Sequence, residues 1–146
     1  MSKPNRDDLL LNKQICFSLY SATNAMTRAY RPLLNQLDLT YSQYLAMLVL
    51  WEQNGINVKA LGHQLHLDSG TLTPLLKRIE TKGLVERRRC DHDERARVLF
   101  LTSAGKALKQ QAESIPSEMM CKSKLSVEEL TQLKATCDKL FEQLTK

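Results

Sequence analysis

The sequence predicts a mainly α-helical chain with a small β-hairpin: a winged helix-turn-helix with dimerisation helices at both ends. Three observations predict it. Between Asn57 and Thr102 the apolar spacing reads as a short helix, a tight connection and a second helix. Two strand-like, arginine-rich segments follow that helix. Residues 7–35 and 103–146 carry long apolar stripes at helical spacing. The expected organisation is one domain over 1–146, with the winged helix-turn-helix in 41–102 and dimerisation helices in 7–35 and 103–146.

The short helix comes from Val58, Leu61 and Leu65, which recur at i, i+3 and i+7. The second helix comes from Leu72, Leu75, Leu76 and Ile79, one apolar face at i, i+3, i+4 and i+7. Asp68 or Ser69 can cap its first turn, and Gly83 is a stop signal. At ~100° per residue, the opposite face holds Thr73, Pro74, Lys77, Arg78 and Thr81, with Ser69 and Thr71 near the N-terminal end. Hydroxyls and a helix N-terminus suit phosphate oxygens. Arginine and lysine reach guanine edges or phosphates, and an outward proline offers apolar contact to a thymine methyl. An isolated helix of this kind would read as a solvated amphipathic surface. Its setting between a short helix and a hairpin makes it a duplex-DNA reader.

The hairpin is read as Leu84–Arg89 and Arg97–Thr102 around a polar loop, 90–95. Short strands with a charged tip make a wing that can follow a DNA backbone or enter a minor groove. Arg88, Arg89, Arg95 and Arg97 are its candidate DNA contacts. Asp93 is expected to hold Arg95 or Arg97 through a bidentate pair; the alternative is a solvated turn carboxylate.

Charge agrees with that reading. The net charge is +5 over 146 residues, and residues 69–97 hold eight cations against five anions. A local basic excess is the footprint of a phosphate partner. A membrane surface is disfavoured because no apolar helix face adjoins the basic region. The chain lacks a run of ~20 apolar residues and a signal-peptide core, so a cytoplasmic location is expected. Four cysteines in no paired spacing do not read as a secreted disulfide framework.

Helices are expected from Asp7 to Asn35, Tyr41 to Asn54, Val58 to Leu65, Ser69 to Lys82, Ser103 to Met120, and Ser126 to Leu144. The last opens with a Ser126–Glu129 capping box. Ile15, Leu19, Ala22, Met26 and Ala29 stripe the first helix. Leu130, Leu133, Cys137, Leu140, Phe141 and Leu144 stripe the last. A twofold partner is the economical cover for so much apolar helix, and twofold dimers read palindromic half-sites.

Cys16 lies near the start of the first helix. A free cysteine is often only a small buried hydrophobe; reactivity needs thiolate character, which helix N-termini and nearby donors promote. Tyr30 is fourteen residues further on, ~21 Å along the axis, so it cannot hydrogen-bond Cys16 of its own chain. Tyr30 and Tyr41 of an antiparallel partner could.

The segments Asn12–Tyr20, Ala25–Leu33, Leu39–Leu45 and Leu67–Arg78, with the Asp93–Thr102 wing, resemble the organic hydroperoxide resistance regulators of the MarR family. The resemblance covers nearly the whole chain and is weakest after Ala112. It implies a homodimeric repressor, without cofactor or metal, that leaves a pseudo-palindromic operator when an organic hydroperoxide oxidises Cys16. It implies Tyr30 and Tyr41 of the other subunit as hydrogen-bond partners of that cysteine. It also implies Cys121, flanked by Lys122, as the resolving thiol of a two-cysteine variant, joined to Cys16 of the partner after a sulfenic acid stage. Cys137 reads as core, and Cys90 fits neither role.

Three other readings stand beside this one. A repressor released by a small aromatic ligand would keep its response in a Cys16→Ser variant. A thiol peroxidase would turn over at Cys16, but no C-x-x-C or Gly-rich cofactor loop supports an enzyme. A zinc site from His63, His66 and Cys90 requires the short helix to continue through His66.

Overall fold

A computed structural model describes residues 3–90 and 93–146, apart from the side chains of 90 and 93–96. Two compact units emerge, 1–113 and 114–146.

The first unit begins with short 3-10 turns at Arg6–Leu9 and Leu11–Lys13, then α1 (Ile15–Asn35), α2 (Tyr41–Glu52), β1 (Ile56–Asn57), α3 (Val58–Leu65), α4 (Ser69–Thr81), β2 (Val85–Cys90), β3 (Asp93–Leu101) and α5 (Ser103–Ala112). The sheet order is β1-β3-β2, all antiparallel. The expected two-stranded hairpin therefore gains a third strand, with Ile56 opposite Leu99. Leu50, Met47, Leu61, Leu76, Ile79, Val85 and Leu99 are fully buried. Each such side chain contributes about 1.5–3 kcal/mol by leaving water. This core fixes α4 and the wing on one scaffold.

Two helix boundaries differ from expectation. The first long helix starts at Ile15, not Asp7. Asn5 and Asp8 form a capping box around a 3-10 turn, Leu10 and Gln14 are extended, and the Gln14 amide donates to the carbonyls of Asp8 (2.6 Å) and Leu10 (3.0 Å). Side-chain bonds to the backbone thus replace the helical ladder there. The helix expected over Ser103–Met120 is divided into α5 and α6 (Ile115–Ser123). Pro116 has no N–H to give and its ring opposes a continuous helix, yet it is tolerated in the first turn of a new one.

The second unit comprises α6 and α7 (Val127–Leu144). The Ser126–Glu129 capping box forms as read, with bonds of 3.2 and 3.1 Å. Leu133, Leu140, Phe141 and Leu144 of α7 are exposed in the single chain, as are Ile15, Phe17 and Met26 of α1.

Candidate nucleic-acid interface and thiol site

The helix-turn-helix is built by its caps. Asn57 Oδ1 accepts the N–H groups of Lys59 (2.7 Å) and Ala60 (3.4 Å) and starts α3. α3 ends at His66, whose φ of 58° places it in the left-handed region. Leu67 N–H then bonds the Gly62 carbonyl at 2.9 Å. Asp68 Oδ1 accepts the Thr71 N–H at 2.8 Å and starts α4. That bond, with a second from the Thr71 hydroxyl, holds the Asp68 carboxyl below the usual carboxylate range. A Cβ on Gly62 would stand 2.9 Å from Leu72 Cδ2, so glycine lets α3 and α4 approach closely.

Leu72, Leu75, Leu76 and Ile79 face the core. Ser69, Thr71, Thr73, Pro74, Lys77 and Arg78 are exposed. Pro74 lies past the first turn, so the Gly70 carbonyl loses its helical donor; Gly70 is exposed and water can replace it. A groove of about 560 Å³ runs between α3, the N-terminal half of α4 and the wing. Asn57, Lys59, Ser69, Thr73, Arg87 and Arg97 line it. A second, of about 440 Å³, is lined by Pro74, Lys77, Arg78 and Lys82.

The wing sorts its arginines by strand alternation. Arg87 faces the first groove and donates from Nε to Glu80 Oε2 at 2.6 Å. Arg89 is exposed and sits opposite Arg97 in the β2–β3 register. Arg88 points the other way. It pairs with Glu86 at 2.9 Å and lies 4.6 Å over the Phe100 ring. The expected Asp93 pairing with Arg95 or Arg97 rests on the Asp93 side chain, which lies outside the described residues. Arg87 and Lys59, which line the first groove, are not among the DNA contacts expected from the sequence. Asn57 before an apolar stripe was the available signal for the start of α3.

Cys16 is exposed in the first turn of α1 and carries a free thiol. Cys121, in α6, is also free and exposed, and Cys137 is partly buried. Tyr30 and Tyr41 come together in one subunit, their ring centroids 4.9 Å apart. Tyr44, which is not among the site residues expected from the sequence, completes the cluster at 5.8 Å from Tyr30 and 6.4 Å from Tyr41. Burial raises all three phenols above their ordinary range, and the neighbouring rings add to this at Tyr30 and Tyr44. They remain O–H donors at neutral pH. The cluster sits at the corner between α1 and α2, where a Thr40–Gln43 capping box starts α2.

Because α3 stops at Leu65, His63 and His66 do not share a helix face. The described residues hold no group of three His, Cys, Asp or Glu placed to bind a metal. No helix among them is long and apolar enough to cross a membrane.

Comparison with known proteins follows the same lines. The pattern described as transcriptional regulator SarA/Rot matches residues 28–112. The organic hydroperoxide resistance transcriptional regulator of Bacillus subtilis is 49% identical over 94% of both chains. This chain belongs to the MarR family, in its organic hydroperoxide regulator branch. It is a winged-helix transcriptional regulator, not an enzyme. AbfR of Staphylococcus epidermidis, in its reduced form bound to DNA, is 34% identical with a TM-score of 0.77, covering 97% of this chain and 99% of that one. A disulfide-formed AbfR is 35% identical with a TM-score of 0.62, covering 96% and 93%.

Proposed function

We propose that this MarR-family regulator is a dimeric, cytoplasmic repressor that binds a pseudo-palindromic operator and releases it when an organic hydroperoxide oxidises Cys16. The observation that carries the reading is the separation of an exposed thiol from its donors. Cys16 opens α1, while the phenols of Tyr30, Tyr41 and Tyr44 cluster around the helix's far end. An antiparallel partner would bring the thiol of one subunit to the phenols of the other. The apolar side chains exposed on α1 and α7 are the surface such a partner would cover.

On DNA, α4 would enter the major groove with Ser69, Thr71, Thr73, Pro74, Lys77 and Arg78, and the wing would reach the flanking backbone with Arg89 and Arg97; of the other two expected contacts, Arg88 is turned to the opposite face of β2 and the Arg95 side chain lies outside the described residues. Arg87 and Lys59 join this set through the groove they line. Salt sensitivity follows from the phosphate contacts.

The chemistry balances in two steps. The Cys16 thiolate attacks the terminal peroxide oxygen, the O–O bond breaks, and the alkoxide leaves and takes up a proton as the alcohol. The sulfur is oxidised to a sulfenic acid. The Cys121 thiol of the other subunit then displaces water and forms the intersubunit disulfide. Disulfide geometry needs Cα atoms within ~7 Å, so the cross-link constrains how the two subunits sit, and with them the two reading helices. Support comes from AbfR, a relative with both a reduced, DNA-bound form and a disulfide form.

The test is disulfide mapping. One equivalent of cumene hydroperoxide is added to the reduced protein, and peptides are sequenced by mass spectrometry under non-reducing conditions. A linked Cys16–Cys121 peptide from a dimer-sized band is expected, absent in Cys16→Ser and in Cys121→Ser. A band that survives Cys121→Ser removes Cys121 from the mechanism. Unmodified Cys16 removes peroxide sensing.

A further inference from the structure

The recognition helix is tied to the tyrosine corner through one side chain. Lys82 is the C-terminal cap of α4. Its ammonium donates to the backbone carbonyl of Asp38 and, at 3.0 Å, to Gln43 Oε1. Asp38 sits in the loop between α1 and α2 with a φ of 54°, a left-handed conformation rare outside glycine. Gln43 is the buried polar residue of the core at 3% exposure. Its Oε1 also accepts the Thr40 N–H at 3.2 Å, while Thr40 Oγ1 accepts the Gln43 N–H at 3.3 Å.

The segment from Asp38 to Tyr44 is held by the Thr40–Gln43 capping box and the Tyr44 N–H bond to the Thr40 carbonyl. That segment carries both acceptors of Lys82 and two of the three phenols. The Asp38 carboxylate, 3.8 Å from the ammonium and 94% exposed, adds little. The bonds that count go to a backbone carbonyl and a buried amide. Elsewhere the border between α2 and α4 carries both polar and apolar side chains, among them Ser42, Pro74, Leu75 and Arg78. Apolar packing is non-directional, whereas hydrogen bonds fix direction and register.

We propose that Lys82 is a positioning residue that couples the tyrosine cluster to the placement of α4. Its regulatory use rests on the thiol-sensing reading above. Rearrangement of Tyr41 and Tyr44 when the facing thiol is oxidised would displace Gln43 and the Asp38 carbonyl, and Lys82 would carry the displacement to the reading helix. Coupling is reciprocal, so DNA on α4 must perturb the phenols even without peroxide.

The experiment uses reduced protein labelled with ¹³C at the tyrosine ring, with resonances assigned by single Tyr→Phe variants. The ligand is a palindromic duplex selected by the reduced wild type from random sequence. The duplex is expected to shift the Tyr41 and Tyr44 resonances in wild type. It should leave them unmoved in Lys82→Met at duplex concentrations that saturate that variant, and Lys82→Arg should restore part of the shift. In a second arm, the ratio of reduced to oxidised affinity should shrink at least about fivefold in Lys82→Met. Shifts that persist in Lys82→Met, or are absent in wild type, overturn the coupling. So does an unchanged ratio accompanied by an equal affinity loss in both states and a salt slope lower by about one, the mark of a plain phosphate contact. If wild-type affinity ignores oxidation, the thiol-sensing reading fails, and the ring shifts still decide the coupling.

Discussion

Gly105→Ala should destabilise the protein, although alanine is the better helix former. Gly105 lies in the first turn of α5, where its N–H bonds Thr102 Oγ1 at 3.1 Å and its carbonyl accepts the Trp51 indole N–H at 2.9 Å. A Cβ there would stand 2.1 Å from the Leu84 carbonyl oxygen and 3.2 Å from Leu101 Cδ2. An ordinary carbon–oxygen contact is about 3.3 Å, so the backbone must give by about 1 Å. The Leu84 oxygen is already the acceptor for Thr102 N–H at 3.0 Å. Moving α5 away therefore stretches that bond and the Trp51 bond together, at about 1 kcal/mol each. Residual overpacking costs about 1–3 kcal/mol, and helix propensity returns about 1 kcal/mol. The net loss is about 3 kcal/mol, or roughly 6–12 °C in melting temperature for a chain of this size. Thermal unfolding followed by circular dichroism, at one fixed protein concentration, measures it. Trp51→Phe, which removes only the indole donor, should lose about 1 kcal/mol. A Gly105→Ala protein as stable as wild type would mean that helix propensity outweighs the close approach, and the reasoning fails.

Other outcomes follow from the site. Arg78→Ala should weaken operator binding by about 1–3 kcal/mol, roughly five- to 150-fold, with a shallower salt dependence; an unchanged affinity in a salt titration would remove Arg78 from the interface. Tyr41→Phe should slow Cys16 oxidation by hydroperoxide, followed by thiol alkylation; equal oxidation rates would count against the phenol's role. Asp68 has a depressed folded pKa, so its cap contributes fully above the ordinary carboxylate range and is lost as pH falls through the lower folded value. Asp68→Asn keeps an acceptor that does not titrate, so denaturation midpoints between neutral pH and pH about 3 should fall less steeply than in wild type.

The reading helix was legible because its signals agree: an Asp68 cap, an unbroken apolar stripe from Leu72 to Ile79, and Gly83 as a stop, with a φ of 76°. The start of α1 was not. The apolar stripe begins only at Ile15, and Gln14's bonds to two carbonyls, which break the ladder before it, have no periodic signature. The division between α5 and α6 falls at Pro116, which the sequence marks and the expected helix over Ser103–Met120 passes over. The strand Ile56–Asn57 is too short for alternation to show. Tyr30 and Tyr41 follow from helix length with an antiparallel partner and from the family resemblance; Tyr44 and Lys82 do not, because a buried ring and a helix-terminal lysine look ordinary until the fold brings them to the same corner.

The central claim is that oxidation of Cys16 releases DNA. Fluorescence anisotropy of a labelled operator duplex, before and after one equivalent of cumene hydroperoxide, tests it most directly. Wild type should lose the duplex and recover it on reduction with dithiothreitol, whereas Cys16→Ser should stay bound throughout. Wild type that holds its operator after Cys16 is oxidised, or a Cys16→Ser protein that releases it, would contradict the account.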